Sequence, residues 1–265
     1  MSTVPRLVVA LLLWIICFAA PGRLSTAGSG DLEVVAASDL RFALGEIAAQ
    51  FERMRGVRVR ITLGSSGQLA AQIVQGAPFD VFFSADEAFI HALIRQGAVR
   101  QDSVRLYALG RIVVWVRAGS PLDVTQGGLG TLTDRRVRYV AIANPAHAPY
   151  GRAAEEALRS AGLYERVKAK LVLGENVTQA LQFAQTGNAD AAIVALSLAV
   201  APPVRSAGRY WVIPSDLHRP IRQAAGITTT SRRQPLAEAF LDFVTVGSGR
   251  EVLRQYGFGS PPEQP

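Results

Sequence analysis

At 265 residues and 28.4 kDa the chain can form one large domain or two lobes, but not an array of modules. Apolar residues make up 49% and charged residues 18%, which excludes a disordered chain; one cysteine and three histidines exclude a disulfide scaffold and a multi-ligand zinc site. The formal charge of +7 is nearly all arginine, since Lys168 and Lys170 are the two lysines, and it is spread without a basic run or an aromatic-interleaved stripe, so no nucleic-acid partner is expected.

Met1–Arg6 is positively charged, and Leu7–Ala20 is an unbroken apolar run, shorter than the ~20 residues a bilayer span needs. A positive start, a short apolar core and small residues at Ser25-Thr26-Ala27 form the secretory pattern, which predicts a signal peptide over 1–27. A retained anchor is the alternative. Cys17 lies inside the apolar run behind Ile15-Ile16, so a lipid-tethered form is not expected. The processed chain would be a cysteine-free, mildly basic globule in the periplasm.

From there strands and helices alternate. Leu32–Ala37 reads as a strand covered on both faces, and Ser38 or Asp39 can cap a helix running to Arg53. Val57, Val59, Ile61 and Leu63 alternate with polar residues, which is strand period, and Gly64-Ser65-Ser66-Gly67 then opens a short helix. Val81–Phe83 is a third strand, after which Asp86 can cap a helix ended by Gly97. Further strands are expected at Ile112–Val116, Val137–Ala143, Lys170–Leu173 and Ala191–Val194, and helices at Gly151–Ala161, Val177–Thr186 and Pro235–Val244. This alternation predicts an α/β fold with mostly parallel sheets. The Pro-rich tail, Ser260–Pro265, is expected to fray.

The motifs of metalloproteases, P-loops and dinucleotide sites are missing, and Gly64-Ser65-Ser66-Gly67 is not the Gly-x-Ser-x-Gly of a nucleophile elbow. His91, His147 and His218 are the available bases, none of them in a recognisable triad context. Helix starts are more informative. Ser38, Ser66, Gly151 and Val177 each follow a strand and open a helix, where unpaired N–H groups and the positive end of the dipole favour anions. In open α/β sheets, ligands sit outside the carboxyl ends of the strands. The bland alternative is that the serines are ordinary N-caps.

Val35-Ala36-Ala37-Ser38-Asp39-Leu40 and Leu63-Gly64-Ser65-Ser66-Gly67-Gln68-Leu69-Ala70 resemble the two serine turns of periplasmic molybdate-binding proteins, the solute receptors of ABC importers. Gly76 through Asp86, Asn144-Pro145 through Gly151, Glu175-Asn176-Val177 and Gln255-Tyr256-Gly257-Phe258 continue the likeness in order, covering roughly residues 32–258. The resemblance implies two α/β lobes joined by crossover strands near Gly110–Val114 and Arg222–Ile227, with the ligand cleft between them. Lobe 1 would combine 28–110 with 226–265, and lobe 2 would span 111–225. It further implies oxyanion contacts at Ser38 and Ser66, through hydroxyl and amide, and at Tyr150 and Val177, through amides. The family's tyrosine hydroxyl donor has no counterpart, because this chain reads Ala195-Leu196-Ser197 there. Ala195 and Ser197 are therefore weaker candidates, with Ser197 or the Tyr150 side chain as possible replacements.

Molybdate and tungstate are unprotonated tetrahedral dianions at neutral pH, so a cage of donors suits them and a carboxylate would repel them. Leaving a donor unpaired beside a protonated oxygen costs ~1–3 kcal/mol, so such a cage discriminates by protonation state. The expected protein is a monomeric receptor for molybdate or tungstate that serves a membrane permease, without a cofactor, resident metal or catalytic activity. The four turns place no arginine at a contact position, although Arg41 and Arg152 are near. A sulfate-type receptor and a secreted serine hydrolase are the alternatives.

Overall fold

The computed structural model describes residues 30–261; the expected signal peptide and the end of the Pro-rich tail lie outside them. β1 (Leu32–Ala37) leads through a single tight turn, Ser38–Leu40, into α1 (Arg41–Arg55). Ala43, Leu44, Ile47, Ala48 and Phe51 bury one face of α1, and Gly56 ends it in the left-handed conformation at φ 65°, donating its amide to Glu52. β2 (Val59–Gly64), α2 (Ser66–Val74), β3 (Val81–Ser84), α3 (Glu87–Arg95) and β4 (Arg105–Gly110) follow.

After Arg111 the chain enters a second set of elements. These are β5 (Ile112–Arg117), α4 (Val124–Gly127), β6 (Val140–Ala143), α5 (Pro149–Ser160), α6 (Tyr164–Val167), β7 (Leu171–Gly174), α7 (Val177–Thr186), β8 (Ala191–Ala195), α8 (Leu196–Ala199) and β9 (Gly208–Val212). The chain then returns through β10 (Ile221–Ile227), α9 (Gln234–Thr245) and α10 (Gly249–Gln255). No helix among the described residues is long and apolar enough to cross a membrane.

The strands form two five-stranded sheets with the same plan. One has the order β2-β1-β3-β10-β4, the other β7-β6-β8-β5-β9. In each, three parallel strands are followed by an antiparallel one, β10 against β3 and β4, and β5 against β8 and β9. The strand boundaries differ from the sequence reading where local polarity misleads. Val57 and Val137 lie outside β2 and β6, and the short, mixed-polarity segments RLYALG and GRYWV are the strands β4 and β9. β10 lies wholly in the first sheet, so a division at 226 would cut that strand.

Trp115, Phe51, Phe83 and Phe240 are fully buried, and Phe51 meets Phe240 edge-on at 5.1 Å while Phe83 meets Tyr107 at 5.5 Å. Each such side chain adds ~1.5–3 kcal/mol on burial, and the three phenylalanines pin α1 and α9 to the first sheet. Those rigid sheets fix the positions of the turns at their carboxyl ends.

Candidate functional site

Five strand-to-helix turns converge on one small cavity. Its wall contains Ala37, Ser38 and Asp39 after β1, Gly64, Ser65 and Ser66 after β2, and Ala85 after β3. The second sheet contributes Ala148, Pro149 and Tyr150 after β6, and Asn176 and Val177 after β7. The room inside, taken at the centre of a water-sized sphere, is about 10 Å³, which is space for one small guest. The equivalent placement of Gly64 and Gly174 beside Ala37 and Ala143 at the strand ends puts two turns of each sheet on the same side.

Three of these turns leave a backbone donor without a partner. Ser65 caps α2 and accepts the Gln68 amide, Gly67 donates across the cleft to the His147 carbonyl at 3.0 Å, and the Ser66 amide is left over. Asn176 caps α7 by accepting the Thr178 and Gln179 amides, which leaves the Val177 amide. Pro149 opens α5 without an N–H of its own, so Tyr150 supplies the first amide there. First-turn amides have no intrahelical acceptor, and among the described residues these three donate to no other group.

The two seryl oxygens are also arranged to donate. Ser66 is fully buried and its Oγ accepts the Ala85 amide at 2.9 Å; Ser38 Oγ accepts the Thr178 amide at 3.4 Å. An oxygen already accepting keeps its own hydrogen for a guest. No arginine, lysine or histidine belongs to the wall. Arg41 lies over the Phe42 ring at 5.8 Å, and Arg152 pairs with Asp86 at 2.6 Å.

The structure thus brings Ser38, Ser66, Tyr150 and Val177 around one cavity and leaves Ala195 and Ser197 outside its wall. Ser197 Oγ instead donates to the Asp39 carbonyl at 2.8 Å. The Tyr150 hydroxyl is likewise occupied: it donates to Asp39 Oδ2 at 2.9 Å and accepts from Gln223 Nε2 at 2.9 Å. Asp39 is not a helix cap. It is 1% exposed, in the cavity wall, and burial pushes its carboxyl up to about 7 against the pull of hydrogen bonds from Gln223 and Tyr150. Sequence reasoning missed it because an aspartate after a serine at a helix start reads as a solvated cap.

A profile described as bacterial extracellular solute-binding protein matches residues 32–259. The chain belongs to this family. The molybdate-binding protein ModA of Rhodobacter capsulatus is 37% identical over 88% of this chain and 89% of the relative. The ModA of Azotobacter vinelandii is also 37% identical, over 96% and 97% of the two chains. The solved structure of the Azotobacter vinelandii periplasmic molybdate-binding protein superposes with a TM-score of 0.81 at 35% identity, covering 87% of this chain and 99% of that one. The architecture is the two-lobed α/β fold of that periplasmic binding protein. A sulfate-binding protein, SubI of Mycobacterium tuberculosis, shares the fold at a TM-score of 0.73 and 18% identity. In this solute-binding protein, the interlobe cavity is where family membership and unpartnered donors coincide.

Proposed function

We propose that this protein is an exported receptor that closes on molybdate, or on tungstate of the same charge and shape, and delivers it to an ABC permease. The observation that carries the reading is the donor set of one cavity, two seryl hydroxyls and the amides of Ser66, Tyr150 and Val177, with no cation in the wall. Helix starts supply positive potential, each equivalent to about +0.5 charge, so a dianion needs no ordered arginine. The molybdate-binding relatives at 37% identity favour this ligand over other oxyanions. We assign the contacts to Ser38, Ser66, Tyr150 and Val177, and place Ser197 behind Asp39 as support.

The lobes in this reading are 28–110 with the C-terminal part of the chain, and the segment from 111 to the end of β9. Arg111 makes one crossing, and residues 213–220 make the other, which keeps β10 in lobe 1. Calorimetry with molybdate, tungstate, sulfate and phosphate tests the proposal. Tight binding of the first two and weak or absent binding of the others is expected. Preference for sulfate would move the protein to the sulfate-type reading.

One contact favours a second reading. Ser65 Oγ lies 2.8 Å from His147 Nδ1, the pairing a serine hydrolase uses. Ser65 is also the N-cap of α2, however, and no carboxylate bonds His147 among the described residues. Chromogenic esters should give neither a burst nor turnover.

A further inference from the structure

Side chains of both lobes meet on a single carboxyl group beside the cavity. Asp39 Oδ2 accepts from Tyr150 Oη on α5 at 2.9 Å and from Gln223 Nε2 on β10 at 2.8 Å. Gln223 Oε1 accepts in turn from Tyr107 Oη on β4 at 2.6 Å. The other oxygen, Oδ1, is buried and has no partner among the described residues. The groups facing this carboxyl are Tyr150, Gln223, Tyr107 and the backbone amides of Asp39 and Leu40, with Ser197 of α8 on its carbonyl; none is a cation. Both tyrosines stay protonated, since burial first and the Asp39 charge second push their hydroxyls well above the ordinary value. A carboxylate in the wall of a donor cage, with no counter-charge, opposes a dianion in that cage.

We propose that Asp39 is a specificity-determining residue that admits the oxyanion only as its neutral carboxylic acid, so that loading above neutral pH takes up one proton from solvent. The inference rests on the oxyanion reading of the cavity. In the neutral acid, Oδ2 still accepts from Tyr150 and Gln223, and Oδ1 gains a hydrogen, converting the one acceptor without a partner into a donor. That adds a donor to a site lacking the tyrosine hydroxyl at the Ala195 position. The step balances simply: one proton leaves the buffer and one O–H bond forms on Asp39, with no other bond changed. Burial already holds the free carboxyl near neutrality, at about 7, and a dianion beside it raises that value further.

Isothermal calorimetry of sodium molybdate at pH 6.0 and pH 8.5, in buffers of different ionisation enthalpy, counts the protons taken up. Wild-type protein should take up close to one proton at the higher pH and few at the lower. Its affinity should fall by about tenfold per pH unit above pH 7.5. Asp39→Asn places an N–H where Oδ1–H would be, and should bind without proton uptake and with pH-independent affinity. Binding by wild-type protein with no proton uptake at pH 8.5 overturns the linkage, whether or not the variant folds. No molybdate binding at either pH overturns the receptor reading itself, and the linkage with it.

Discussion

Arg152, in the first turn of α5, lies 2.6 Å from the carboxylate of Asp86, the N-cap of α3, so the two sheets are joined by an ion pair beside the cavity. Asp86 also accepts the Ala88 amide at 2.9 Å, which fixes the carboxylate that Arg152 meets. The arginine that the sequence places near the anion therefore spends its charge on the opposite lobe.

Both side chains of that pair are about 30% exposed, and a pair so placed contributes ~0.2–1 kcal/mol. Arg152→Gln should loosen the closed form and raise the molybdate off-rate about two- to fivefold, with the on-rate nearly unchanged. Stopped-flow dissociation measures this. A hundredfold rise would show that the guanidinium grips the anion itself.

Ser38→Ala and Ser66→Ala should each weaken molybdate binding by roughly ten- to a hundredfold, the loss of a hydrogen bond to a charged acceptor at ~1.5–3 kcal/mol. Melting temperatures should fall modestly, more for Ser66, whose oxygen also holds the Ala85 amide. If affinity survives both substitutions, the two hydroxyls only hold the Ala85 and Thr178 amides and the donor-cage argument fails.

Gly67 faces the other lobe. A Cβ there would stand 2.8 Å from the His147 carbonyl oxygen, the atom its own amide bonds, so Gly67→Ala has room in each lobe but not in their contact. The variant should keep its thermal stability without ligand and lose closure. Small-angle scattering should show a radius of gyration that molybdate no longer shrinks, while the wild-type protein contracts. Contraction of the variant to the wild-type value would contradict this.

Asp39 also sets a pH dependence in the absence of ligand. Its carboxyl is raised from 3.8 to about 7 in the folded protein, mainly by burial. A raised value means that the stability the neutral acid contributes is complete below 3.8, declines as pH climbs, and is lost through about pH 7. Asp102 and Asp134, held low by Arg100 and Arg136, act in the opposite sense, since their contribution is lost at acid pH. The informative quantity is thus the difference between wild type and Asp39→Asn. Relative to the variant, the wild-type protein should lose ~2–4 kcal/mol between pH 4.5 and pH 8 in denaturant titrations. Parallel curves would show that the carboxyl titrates as if solvated.

What was legible in the sequence follows from how local the signal is. The turns at Ser38, Ser66, Tyr150 and Val177 announce themselves through residues adjacent in the chain, a strand and then a helix start, and the ordered likeness to a family assigns them to one cleft. Asp39 shows the limit. Its meaning comes from Gln223 and Tyr150, 184 and 111 residues away, and nothing in Ser-Asp-Leu distinguishes a solvated cap from a buried junction. β4, β9 and the buried Gln223 within β10 were equally opaque, because their polarity is balanced by partners in other strands rather than by a pattern of their own.

β10 separates β3 from β4 in the first sheet, although more than a hundred residues separate it from either along the chain. During synthesis, β4 has no strand to pair with until residue 227 has emerged, so lobe 1 remains unfinished for most of the time the chain is being made. Contacts of such long range are slow to form. In the proposed reading as an exported receptor, that delay keeps lobe 1 from closing on itself early. It waits for its last strand.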